Sequence, residues 1–142
     1  MRAAAADGAG GGPGDHAMRA LVVDDSRAMR SILESILDEV GFEIVQAADA
    51  EEAERILRED RRFDLALVDW NLPVMSGLEL VRSLRVRSEL DAVKLMMVTT
   101  ETGLARVREA LEAGADEYIM KPFDKDMLLE KLQLLGIEGR PR

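Results

Sequence analysis

Cysteine is missing from all 142 residues, and the chain holds only one histidine, one tryptophan, one tyrosine and three phenylalanines. The first absence excludes disulfides, thiolate metal sites and cysteine nucleophiles, and it fits a reducing interior. Apolar runs break off after a few residues, well short of the roughly 20 that a membrane span requires, and Met1 to Ala17 has no apolar centre of the secretory kind. The expected setting is therefore cytoplasmic, with no membrane insertion. Positive charge is also scarce. Lys and Arg total 19 against 28 Asp and Glu, a net charge of -9, and the cations are scattered, which disfavours direct nucleic-acid binding. What is abundant is aliphatic: 47% of residues are hydrophobic, enough for one core of ordinary domain size and too little chain for two.

Residues 1–17 are mostly Ala and Gly with no periodic apolar face and read as a disordered tail. His16 lies alone in that tail, so neither a phosphodonor nor a metal-ligand role is assigned to it. Translation from Met18 is expected to leave the folded unit, residues 18–137, intact, with 138–142 as a short polar tail. Between these ends, short apolar runs alternate with helical patterns, which marks an α/β fold with a parallel sheet. Strands are expected at Arg19 to Val23, Ile44 to Ala47, Leu65 to Val68, Lys94 to Thr99 and Glu117 to Met120. Their unbroken hydrophobic runs suit strands covered on both faces. Met29, Ile32, Leu33, Ile36, Leu37 and Val40 recur at three-to-four spacing and predict a first helix stopped by Gly41. Four more follow, marked by Ala53, Ile56 and Leu57, then Leu78, Val81 and Leu84, then Val107, Ala110 and Leu111 before Gly114, and finally Leu128, Leu132 and Leu135.

Chemistry collects where these strands stop. Asp24 and Asp25 close the first run, Asp69 the third, and Lys121-Pro122 the fifth. In open α/β sheets, ligands sit beyond the carboxyl ends of the strands. Two carboxylates about 4 Å apart repel by roughly 4 kcal/mol at an effective dielectric near 20, so three together require a cation or raised proton affinities. A hard divalent ion with oxygen ligands and retained waters suits Mg2+. Asp69, with an ordinary proton affinity near 3.9, would be ionised and able to attack phosphorus and form an acyl phosphate. Lys121 can pair with that acid before transfer and with a phosphoryl oxygen afterwards, and Thr99 at the end of the fourth strand offers a hydroxyl donor. Each residue also has a plain alternative: Asp24 and Asp25 as helix-capping acids, Lys121 as a surface lysine, Thr99 as a strand former.

Leu21-Val22-Val23-Asp24-Asp25, Asp69-Trp70-Asn71-Leu72-Pro73 with Gly77, Val98-Thr99 and Lys121-Pro122-Phe123 resemble, in order, the motifs of a response-regulator receiver domain. Trp70, Asn71, Glu101, Tyr118 and Gly77-Leu78-Glu79-Leu80 are similar to the chemotaxis members of that family. The resemblance covers nearly everything after the tail. It implies a flavodoxin-like, five-stranded parallel sheet of order 2-1-3-4-5 with five helices; this family is itself a known instance of that order, which residue spacing does not reveal. It further implies phosphorylation of Asp69 by a histidine kinase, with Asp25 and Asp69 as direct metal ligands, Asp24 acting through water and the Asn71 main-chain carbonyl completing the set. It implies a cis Lys121-Pro122 bond and a switch in which Thr99 moves toward the phosphoryl group and Tyr118 rotates inward. Asn71 and Glu101 would tune hydrolysis from beside the attacking water; the alternatives are solvated loop residues for these two and a surface strand residue for Tyr118. No DNA-binding element is found, so output is expected through a protein target, the flagellar motor switch first among candidates, with a phosphatase as a further partner. Such a chain is a signalling protein whose only chemistry is on itself.

Two other classes fit less well. An aspartate-nucleophile phosphatase places its second acid two residues after the nucleophile, where this chain has Asn71. A flavodoxin-like cofactor binder needs a phosphate-cradling first loop, and Asp24-Asp25 would repel phosphate without a metal. Within the family the alternative is a relay intermediate or adaptor outside chemotaxis. Ser26 and Thr100 depart from the chemotaxis pattern and bear on donor preference and partner.

Overall fold

The computed structural model describes residues 18–60 and 62–137; the expected tails and His16 lie outside the described residues. The strands are β1 (Met18–Val23), β2 (Phe42–Ala47), β3 (Leu65–Val68), β4 (Lys94–Thr99) and β5 (Glu117–Met120). The helices between and after them are α1 (Arg27–Glu39), α2 (Ala50–Glu59), α3 (Gly77–Arg85), α4 (Leu104–Ala113) and α5 (Lys125–Leu134), with a 3-10 turn at Ser88–Leu90. All pairings are parallel and the sheet runs β2-β1-β3-β4-β5.

Alternation along each strand divides the core in two. Leu21, Val23, Ala66, Val68, Leu95 and Met97 face one side, packed with Leu57 of α2, Leu80 and Leu84 of α3 and Ala110 of α4. Ala20, Val22, Leu65, Leu67, Met96 and Val98 face the other, against Leu33 and Leu37 of α1 and Leu128 and Leu132 of α5. Every residue of Leu65–Val68 is buried because helices cover both faces, which is why that strand reads as a solid apolar run.

Helix boundaries follow from caps. The side chains of Ser26, Asp49, Ser76 and Asp124 each accept a main-chain N–H of the first turn, and Ser76 with Glu79 forms a reciprocal capping box. At the other end of α4, Gly114 takes φ 119°, the left-handed stop expected of it. Departures from the sequence reading are local. Strand β1 starts at Met18 rather than Arg19 and β2 at Phe42 rather than Ile44, and Ile32 and Leu111 stand about half exposed at the margins of their helices' apolar stripes.

Two features outside the sheet edge predict measurable effects. Val74, in the loop between β3 and α3, has φ 69° and is fully exposed. A β-branched residue is strained there and gains no burial in return, so Val74→Gly should stabilise the protein by about 1 kcal/mol in urea unfolding. Asp60 caps the end of α2 under two arginines. Burial would raise its carboxyl, but hydrogen bonds from the Arg62 side chain and amide, and then Arg19 at 2.6 Å, outweigh it and lower the pKa from 3.8 to about 2. A carboxyl depressed on folding stabilises above its unfolded value and loses that contribution as pH falls. Asp60→Asn is thus expected to cost about 1 kcal/mol at neutral pH, after allowance for solvent screening, and progressively less as pH falls towards 2. Urea midpoints of the two proteins, compared from neutral pH down to about 2, should converge.

Candidate functional site

Three strand ends converge because the sheet's own hydrogen bonding continues one residue past each strand. The Asp24 amide donates to the Ala47 carbonyl (3.1 Å), the Asp69 amide to the Val23 carbonyl (2.9 Å) and the Lys121 amide to the Thr99 carbonyl (2.9 Å). Side chains that look distant in sequence are thereby fixed at one edge. Asp24, Asp25 and Asp69 each offer an oxygen within 4.8 Å of the others. Asp24 and Asp69 are buried, whereas Asp25 is exposed.

Lys121 bridges the two buried acids, with Nζ 3.0 Å from Asp24 Oδ2 and 3.6 Å from Asp69 Oδ2. Its tighter partner is therefore Asp24 rather than the acid expected from sequence. The other Asp24 oxygen accepts the Ser26 amide at 2.8 Å, and the Asn71 amide lies 3.4 Å from Asp69 Oδ1. The Lys121-Pro122 bond is cis. The first turn of the α3 helix is pressed against the acceptor loop: Gly77 donates its amide to the Trp70 carbonyl at 2.7 Å, and a Cβ at Gly77 would stand 2.0 Å from the Asp69 carbonyl oxygen.

One lysine does not balance two buried carboxylates. Burial, and next the charge of Asp24, push the Asp69 carboxyl above its ordinary value despite Lys121. Without an added cation Asp69 does not have the normal proton affinity read from sequence, because its neighbours include a second anion in a desolvated pocket. The donor set, carboxylate oxygens only, and this excess negative charge fit a hard divalent ion such as magnesium.

Thr99 is fully buried, and its hydroxyl accepts the Glu101 amide at 3.0 Å. Tyr118 is 4% exposed, with its hydroxyl donating to the Glu101 carbonyl at 2.6 Å; burial and then the Glu101 charge raise its pKa. Tyr118 thus points inward, and the Glu101 carbonyl satisfies its phenol. Asn71 is exposed and Glu101 half-buried. Sequence reasoning missed two arginines. Arg30 Nη1 donates to the Asp24 carbonyl (2.6 Å) and its Nε to Gln46 (2.8 Å), while Arg106 lies over the Trp70 ring, 5.6 Å from its centroid. Only the fold reveals either, since both act across elements.

The residues 20–133 match the family described as response regulator receiver domain. A chemotaxis protein CheY homolog of Campylobacter jejuni is 41% identical over 117 residues, 82% of this chain and 90% of that one. The structure of chemotaxis response regulator CheY4 of Vibrio cholerae is similar at a TM-score of 0.79 and 35% identity, covering 84% of this chain and 99% of the other. A CheX-CheY-BeF3-Mg+2 complex from Borrelia burgdorferi contains a similar chain at TM-score 0.78 and 25% identity, with coverage of 85% and 90%.

Proposed function

We propose that this chain, which belongs to the response regulator receiver family, accepts a phosphoryl group from a histidine kinase on Asp69 and changes its affinity for a protein target in consequence. The observation that carries the reading is the buried Asp69, held beside Asp24 and Lys121 at the carboxyl edge of a parallel sheet.

In the transfer, an Asp69 carboxylate oxygen attacks phosphorus, a P–O bond forms, the P–N bond of the donor phosphohistidine breaks, and the imidazole leaves with its electron pair. Lys121, within 3.6 Å of Asp69, follows the charge from the carboxylate to a phosphoryl oxygen. Thr99 supplies a hydroxyl from the neighbouring strand end; its oxygen accepts the Glu101 amide, which leaves its O–H free to donate. Asp25 and Asp69, with Asp24 through water and the Asn71 main-chain carbonyl, would hold a magnesium ion, whose chemistry is to offset the clustered carboxylates and the phosphoryl oxygens. Asn71 and Glu101 flank the acceptor and tune hydrolysis of the acyl phosphate. Likeness to chemotaxis regulators supports a chemotaxis output, with a flagellar motor switch as target. The Borrelia complex, named with CheX, BeF3 and Mg+2, supports both the metal and a phosphatase partner.

Incubation with labelled acetyl phosphate tests the reading. Stoichiometric, hydroxylamine-labile label is expected with magnesium and none after chelation, while far-UV circular dichroism stays unchanged. Label that survives chelation, or unfolding on chelation, would contradict the proposed metal role.

A further inference from the structure

Arg106, in the first turn of α4, has no part in the mechanism above, yet it touches the residues around the acceptor. Its Nε is 3.5 Å from Glu101 Oε1, its Nη1 donates to Glu109 Oε1 at 2.9 Å, and its guanidinium carbon stands 5.6 Å from the centroid of Trp70, the residue after Asp69. Glu101 is a junction in its own right. Its amide donates to the Thr99 hydroxyl at 3.0 Å and its carbonyl accepts from Tyr118 at 2.6 Å. The start of α4 has no side-chain cap, since Gly103 occupies that position, so these contacts anchor the turn to the acceptor loop.

Charge gives the arrangement a purpose. Lys121 and one divalent ion together match Asp24, Asp25 and Asp69, which leaves Glu101, two residues past Thr99 and tied by its amide to the Thr99 hydroxyl, as a further anion near an acceptor that must take a phosphoryl group of about two negative charges. We propose that Arg106 is a positioning residue for donor entry: by pairing with Glu101 over Trp70 it holds that carboxylate against α4 and cancels its repulsion of the incoming anion. This rests on the phosphoacceptor reading. Arg106 touches neither donor nor acceptor and acts through Glu101.

The test is the initial rate of labelling by acetyl phosphate, in which the Asp69 oxygen–phosphorus bond forms as the donor's P–O bond breaks and acetate leaves. With magnesium at low ionic strength, Arg106→Gln should slow labelling by about fivefold, the scale of a local steering charge. Arg106→Lys, which keeps the charge, should retain most of the rate. High salt should shrink the Gln variant's defect, which a packing defect would not do. In a Glu101→Gln background, adding Arg106→Gln should change the rate by less than about twofold, because the charge beside Thr99 that it offsets is gone and only Glu109, on α4 itself, loses a partner. Equal rates for the unaltered and Arg106→Gln proteins, a defect indifferent to salt, or the same defect in the Glu101→Gln background would each overturn the proposal while leaving the acceptor assignment standing. No labelling of the unaltered protein would overturn both.

Discussion

Asp69→Asn is expected to take no phosphoryl label from acetyl phosphate or a histidine kinase, and in metal-free buffer to unfold at a higher temperature than the unaltered protein. The two results come from one cause. The amide keeps the shape of the carboxyl but carries no charge and is too poor a nucleophile to attack phosphorus. The folded protein holds the Asp69 carboxyl above its ordinary pKa, first through burial and then through Asp24, so ionised Asp69 is less favourable in the folded state than in the unfolded chain. For an acid raised on folding, that penalty is full above the folded pKa, shrinks as pH falls below it and is gone only below the unfolded value. The Asn variant should therefore gain stability at neutral pH, and the difference should fade on acidification. Magnesium should reverse the order by stabilising the unaltered protein more. Labelling of a well-folded Asn variant would remove Asp69 from its role, and a variant that melts lower would show that the cluster supports the fold.

Gly77→Ala should cost about 3 kcal/mol or more, a large effect for one methyl group. The cause is proximity to main chain. The added Cβ would lie 2.0 Å from the Asp69 carbonyl oxygen and 2.8 Å from its carbonyl carbon, so no side-chain rotamer can relieve the clash. Either α3 withdraws, breaking the 2.7 Å bond from the Gly77 amide to the Trp70 carbonyl, or the acceptor loop shifts and carries Asp69 with it. Urea unfolding reads the first outcome, and the labelling rate of whatever remains folded reads the second. A variant of unchanged stability and rate would mean that this loop is far softer than its hydrogen bonds imply.

Three strands were the most legible part of the sequence. LALV and KLMMVT match the interior strands β3 and β4 residue for residue, because helices on both faces keep the run apolar until the strand stops, and EYIM matches β5 at one edge of the sheet. Strand β2 was shortened at its start for the opposite reason. It lies at the sheet edge, and Glu43 faces solvent within 4.0 Å of Arg19, so a charged residue inside the strand masked Phe42. Strand order came from family likeness, since no residue spacing states which strands are neighbours. The acids at the strand ends could be found because a charge ending an apolar run is visible in one dimension. The tighter pairing of Lys121 with Asp24, and the reach of Arg30 and Arg106, could not be. A long cation's partner depends on which loops the fold brings together, and the same arginines read equally well as solvated surface.

Tyr118 carries a consequence for signal quality. Its ring is buried and its hydroxyl donates to the Glu101 carbonyl. A ligand-driven equilibrium can be displaced only as far as the resting population leaves room to move. On the proposed reading, whatever fraction of the unphosphorylated protein holds this pose sets a background affinity for the target. The dynamic range of the signal is then the room left above that floor.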